Sequence, residues 1–257
     1  MEKEFLLEHG GLSIPVTINE PDFDARRVVL GVHGLGGSTQ DNIQTAIAEE
    51  MEFFYSIVYR FDFPAHGSSP LDSTFFTLKN CRETLMAVAR HIKTTYPQVE
   101  ELCIFATGFG AYVTLLCLED LVDLPGQIRL VVQTPSIRMH ETILAMKHTT
   151  KATLRAMGRM TFRAERPFDV TYEFYKELEN ETAFITFPIP MLILHGEADD
   201  YIPMEDIQNF ARLNDQSKLV IVPGTTHRFL EEGAWDMVLD LTRDWFDFEQ
   251  VLLSDWS

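Results

Sequence analysis

The residues of this chain that can do chemistry fall in a few short, glycine-bearing segments. Ala106-Thr107-Gly108-Phe109-Gly110-Ala111 follows an apolar run and precedes a helical one. Small residues flank a tight strand-to-helix turn because the turn is strained and the helix packs close, and the pattern expected of a nucleophile there is small-x-Ser-x-Gly. Gly108 holds the central position and has no side chain with which to attack a carbonyl. Gly196-Glu197-Ala198-Asp199-Asp200 offers a carboxylate and Pro223-Gly224-Thr225-Thr226-His227 an imidazole. A carboxylate that orients an imidazole and stabilises its cation lets the ring serve as general base and then general acid. Asp199 and His227 are the candidate pair; Asp200 is the alternative acid, and the Gly-x-x-Asp spacing favours Asp199. In His33-Gly34-Leu35-Gly36-Gly37 the glycines let the backbone turn an amide toward a substrate oxygen. The N–H groups of Leu35 and Phe109 are the candidate oxyanion hole.

Other residues near these segments have competing readings. His66, in Asp62-Phe63-Pro64-Ala65-His66-Gly67, is a candidate substrate contact, although a histidine so placed more often braces its loop. His195 ends an apolar run and reads as a satisfied core histidine. Thr107 adjoins the elbow but points elsewhere, and Thr225 and Thr226 suit loop hydrogen bonds. Gly108-Phe109-Gly110 also begins a G-x-G-x-x-G dinucleotide turn, but Val113 occupies the third glycine position and the motif lies in mid-chain.

These segments need strands and helices to position them. Residues 3–18 read as a hairpin around Gly10-Gly11. Apolar runs at 28–32, 56–60, 102–106, 130–133, 191–194 and 219–222 read as buried strands. Helical spacing covers 41–54, 76–96, 110–120, 204–213 and 233–248. The alternation predicts an α/β chain of one domain over 1–257: a mostly parallel eight-stranded sheet with helices on both faces, its site at the carboxyl ends of the strands. Residues 136–185 break the alternation, show no convincing strand, and read as a helical insertion placed to act as a lid. Between Ser136 and Pro167 this segment has seven basic residues and two acidic ones, Glu141 and Glu165. Lys147, Lys151, Arg155, Arg159 and Arg163 recur every four residues, so on a helix they drift by about 40° per step and fan around it. A basic lid attracted to an acidic body is the plain reading; an anionic substrate group held beneath it is the sharper one. Met139, Met146, Met157, Met160 and Phe162 read mostly as packing.

Composition narrows the classes. A formal net charge of -18 disfavours nucleic acid and anionic membranes as partners. Cys81, Cys103 and Cys117 fit neither a disulfide framework nor a zinc site. The charged start and the lack of a long apolar run give no secretory signal or membrane span, so the cytoplasm is the expected compartment.

Five segments together resemble the α/β-hydrolase superfamily, in its serine aminopeptidase-like and cinnamoyl/feruloyl esterase-like branch. They are His33-Gly34-Leu35-Gly36-Gly37, Arg60-Phe61-Asp62-Phe63-Pro64-Ala65-His66-Gly67-Ser68, Thr107-Gly108-Phe109-Gly110, Leu194-His195-Gly196-Glu197-Ala198-Asp199 and Pro223-Gly224-Thr225-Thr226-His227. The order nucleophile, acid, histidine agrees with that resemblance. It implies an α/β-hydrolase fold, acyl transfer from small or aromatic carboxylic esters or less often amides, no cofactor or metal, a small-molecule ester or acid as partner, and a monomer or homodimer. Gly108 departs from it. Either the glycine replaces the serine of a working enzyme, or the chain is a pseudo-hydrolase that binds an ester, acid or small hydrophobe without turnover. Retention of Asp199, His227 and both amide turns favours a serine-hydrolase parent.

Overall fold

The computed structural model describes residues 2–21, 25, 27–124 and 126–246. Strand β1 (Glu2–His9) turns through Gly10 and Gly11, both at positive φ, into β2 (Leu12–Asn19), and β3 is Arg27–Val32. Helix α1 (Asn42–Phe53), β4 (Ser56–Phe61), α2 (Leu78–Thr95) and β5 (Glu101–Thr107) follow. The predicted helix over 110–120 is two helices, α3 (Gly108–Leu116) and α4 (Leu118–Val122), hinged at Cys117. After β6 (Gln127–Gln133) comes an insertion. The chain then completes β9 (Met191–Gly196), α8 (Met204–Leu213), β10 (Lys218–Val222) and α9 (Ala234–Phe246). Positions 247–248 of the last predicted helix lie outside the described residues.

The eight strands form one sheet in the order β1-β2-β4-β3-β5-β6-β9-β10. Pairing is antiparallel at β1–β2 and β2–β4 and parallel elsewhere. The central strands are apolar on both faces because helices cover both faces. Val28, Leu30 and Val32 join one core with α2 and α3, whereas Val29, Val58 and Val131 join a second with α1 and α9. From β3 the chain runs first to β4 on one side and later to β5 on the other. The carboxyl ends of β3 and β5 therefore border the crevice where such a sheet binds ligands. This is the α/β-hydrolase fold.

The insertion between β6 and β9 corrects the helical expectation for 136–185. It has helices α5 (Met139–Met146), α6 (Lys151–Met157) and α7 (Tyr172–Asn180), but an antiparallel hairpin of β7 (Arg159–Phe162) and β8 (Phe168–Thr171) stands between the last two. Gly158 ends α6 in the left-handed conformation, with φ 76°. In the hairpin Met160, Phe168 and Val170 turn inward, while Arg159 pairs with Asp169 across it at 3.0 Å. Four-residue strands are too short to declare themselves by alternation. The basic residues thus do not fan around one helix. Lys151 is 2.5 Å from Glu179, and Lys147 donates to the Thr161 carbonyl at 2.8 Å. Arg166 fastens the insertion to the body by donating to the carbonyls of Ser69 and Leu71.

The loops after β3 and β4 are joined by buried Asp62. Its carboxylate accepts from the Thr39 N–H at 2.7 Å and from the Ser68 N–H and hydroxyl at 2.8 and 2.9 Å. Asp62→Ala leaves these donors without an acceptor. It is expected to lower the unfolding free energy by about 3 kcal/mol, measured by equilibrium urea denaturation. A loss below about 1 kcal/mol would mean that the loops do not depend on this carboxylate.

Candidate active site

Four turns at the carboxyl ends of β3, β5, β6 and β10 meet around one cavity of about 390 Å³, whose wall includes Leu35, Gly108, Phe109 and His227, and the turn after β9 carries Asp199, the partner of His227. Each turn has a local reason for its shape. Gly108 starts α3 with φ 48°, a region open to glycine and costly for other residues. A Cβ at Gly110 would lie 2.3 Å from the His33 carbonyl oxygen and 2.7 Å from that of Val32, so only glycine lets α3 start this close to β3. Phe109 fills the space behind the elbow, edge-on to Phe63 and Phe76 with ring centroids 5.5 Å away in both cases. Its N–H belongs to the first turn of α3 and so has no partner within the helix.

His33 fixes the turn after β3. Its Nδ1 lies 2.8 Å from the Gly34 carbonyl oxygen, and its Nε2 accepts from the Phe63 N–H at 3.1 Å. That pairing places the proton on Nδ1 and leaves the ring neutral.

Asp199 and His227 are brought together as the sequence predicts. Asp199 Oδ2 is 2.8 Å from His227 Nδ1, and Oδ1 accepts from the N–H groups of Tyr201 and Ile202 at 2.9 and 3.0 Å. Burial pushes this carboxyl up, but the His227 ring and the two amides outweigh burial and hold it below the ordinary aspartate range. The His227 ring meets Tyr201 edge-on at 5.2 Å. Asp200, the alternative acid, is exposed, and among the described residues no ion pair joins it to His227.

Two further histidines had competing readings in the sequence. His66 is buried and does not line the cavity, which corrects its candidate role as a substrate contact. Its Nδ1 lies 2.9 Å from the Pro64 carbonyl, and its ring packs on Phe168 and Phe76 at 4.4 and 4.8 Å. It braces the loop beneath the insertion. His195 is fully buried, with Nδ1 3.8 Å from Asp199 Oδ2, beyond hydrogen-bond reach. Burial lowers its pKa despite the nearby carboxylate.

The cavity also has walls that the motifs did not reveal. Gln133 and Thr134 end β6, and the Ser136 N–H points to the Gly108 carbonyl at 3.4 Å. Gln133 pairs in register with Thr107, directly beside the elbow. Thr134 has φ 44°, a strained value for a β-branched residue. The rule that ligands bind at strand carboxyl ends, applied to the predicted strand 130–133, points to these residues. Asp41 and Glu165 line the cavity too, with no motif to mark them. The free cysteines offer no substitute nucleophile: all three are buried, and burial pushes Cys103 and Cys117 up to about 12. Among the described residues no cluster of three or more His, Cys, Asp or Glu is arranged to hold a metal ion, and no helix is long and apolar enough to cross a membrane.

No family model and no curated protein sequence matches the chain. Solved structures do. Est1E from Butyrivibrio proteoclasticus with bound ferulic acid is 17% identical with a TM-score of 0.78, and the match covers 96% of this chain and 99% of that one. Mouse alpha/beta hydrolase domain-containing protein 10 is 16% identical with a TM-score of 0.77, covering 95% and 98%. The esterase domain of a Rhodothermus marinus protein is 17% identical with a TM-score of 0.68, covering 95% and 97%. The fold is thus one that this chain shares with solved hydrolase and esterase structures.

Burial holds the His66 pKa down to about 3. Below pH 6.5 the unfolded chain takes up a proton at this residue that the folded chain refuses until pH is about 3, so stability falls with pH across that window. In His66→Gln the slope of unfolding free energy against pH between 6 and 4 is expected to be shallower by up to about 1.4 kcal/mol per pH unit. Denaturation at stepped pH measures it. An unchanged slope would mean that His66 is protonated within the fold.

Proposed function

We propose that this chain is a serine-hydrolase scaffold for small or aromatic carboxylic esters that keeps the acid–base pair and the oxyanion amides but not the nucleophile. The observation that carries this is the Asp199–His227 bond of 2.8 Å opening onto the cavity that holds Gly108. Gly108 occupies the nucleophile position. Asp199 orients the ring, and His227 is the base and then the acid. Leu35 and Phe109 donate to the carbonyl oxygen as it gains charge. The insertion is a lid: Met139, Met146 and Glu165 reach from it into the cavity wall. The bound ferulic acid of Est1E suits the aromatic option for the acyl group.

The space for a nucleophile remains. A Cβ at Gly108 would have as its only neighbour within 4 Å, outside the adjoining residues, the Gly34 Cα at 3.9 Å, an ordinary contact. The left-handed backbone would cost a serine about 1–2 kcal/mol. Loss of a triad nucleophile costs about a millionfold in turnover, with a residual ~10³–10⁴ over water. Gly108→Ser is therefore expected to raise hydrolysis of short p-nitrophenyl esters by at least about a thousandfold over the chain as it stands. His227→Ala should abolish the gain. A serine variant as inert as the glycine form would sink the proposal.

Gly108 itself favours a second reading: a pseudo-hydrolase that holds an ester, acid or small hydrophobe without turnover. A thermal-shift screen with aromatic and short-chain acids and esters tests binding. A fluorophosphonate probe separates the readings, because labelling of the unaltered chain would require a substitute nucleophile.

A further inference from the structure

The cavity that holds Gly108 and His227 is also lined by hydrogen-bond acceptors that the ester chemistry does not use. Asp41 precedes α1 at its cap position, yet its side chain makes no capping bond to that helix. The carboxylate instead fills the notch beside Gly37, where a Cβ would lie 2.2 Å from Oδ2. Glu165 reaches the same cavity from the turn between β7 and β8. Among the described residues, neither carboxylate is in an ion pair. By contrast Glu50, Glu101, Asp169 and Asp206 all have a basic partner. His33, in the same turn region, has both of its ring nitrogens engaged by the backbone.

A third acceptor is independent of these carboxylates. Gln133 is 4% exposed and lines the cavity from the end of β6, and its Oε1 is enclosed with no hydrogen-bond partner. A buried acceptor without a donor is rare and marks a place for a ligand or bound water. Two further groups complete the wall. Arg228 is the one Lys or Arg on it and is exposed, next to His227 in the chain. Trp235 Nε1 is an enclosed donor available to a ligand oxygen.

We propose that the cavity accepts an acyl group bearing a protonated amine, with Asp41 as its principal counter-charge and Glu165 as a second at the rim. The Asp41 carboxylate already has a backbone hydrogen bond from Ser38; an ammonium supplies it with further N–H donors, gives Glu165 and the Gln133 Oε1 a donor, and relieves the repulsion between the two carboxylates. Burial raises the Asp41 pKa and Asp62 and Glu165 add to the rise, while the hydrogen bond from the Ser38 backbone offsets part of it. A cation bound beside it reverses that effect. The inference rests on the cavity being an acyl site, as proposed above.

Two pairs of probes test it. Calorimetry on the unaltered chain compares 6-aminohexanamide with hexanamide. Kinetics on Gly108→Ser compares p-nitrophenyl 6-aminohexanoate with p-nitrophenyl heptanoate. The amino member of each pair is expected to win by at least tenfold, in Kd and in kcat/KM. Asp41→Asn should bring that ratio below threefold, and added salt should shrink it. If Asp41→Asn does not fold, Glu165→Gln is expected to lower the ratio at least twofold, and an unchanged ratio overturns the inference. Heptanoate turned over as well as its amino counterpart overturns the inference alone, leaving the ester-hydrolase reading intact. If neither amide binds and neither ester is hydrolysed, both fall together.

Discussion

The closeness of α3 to β3 is the constraint on which the site depends. At Gly110 the two elements approach so tightly that a single added carbon would overlap the carbonyls of His33 and Val32. This contact fixes where the helix begins, and hence where the chain must bend sharply at Gly108. It also explains why the bend persists without a nucleophilic side chain. The turn is held by packing, with Phe109 wedged among aromatic rings and His33 tying the neighbouring turn to the next loop. A strained backbone survives only where its surroundings over-determine it.

Electrostatics divides the site into two halves. On the His227 side a buried carboxylate is fully satisfied, with both oxygens engaged by the ring and two amides. On the Asp41 side a half-buried carboxylate has, among the described residues, no Lys or Arg ion pair and only a backbone hydrogen bond from Ser38, in a chain whose formal charge is already -18. The first arrangement is that of a group whose work is internal. The second leaves the energetic cost of desolvation only partly offset, which suits a site completed by a ligand.

Much of this was legible in the residues. The eight strands announced themselves because continuous apolar runs between helical spacings mean a sheet covered on both faces, and the Gly-x-x-Asp and Thr-Thr-His segments placed the acid and the ring at strand ends. The insertion was not legible. Residues 159–162 and 168–171 are too short to show a period, and regularly spaced basic residues mimicked a helix that Gly158 in fact terminates. The basic residues looked like a surface awaiting an anion, but Lys151 and Arg159 are answered by Glu179 and Asp169, distant enough in sequence to be invisible before folding. For His66 the residues left open a substrate contact beside the favoured loop brace, because its covering rings, Phe76 and Phe168, come from remote segments. Asp41 and Gln133 belong to no motif; only the shape of the cavity brings them together.

The grip of Arg166 bears on what surrounds a molecule in the cavity. Its guanidinium holds the carbonyls of Ser69 and Leu71, so on that flank the insertion is riveted to the body. Arg166 itself does not line the cavity, whereas Arg228 and Leu230 do, and Leu230 is 64% exposed. A molecule held against the imidazole therefore shares its wall with a solvent-facing apolar side chain and a positive charge, while the insertion above stays tied to the body.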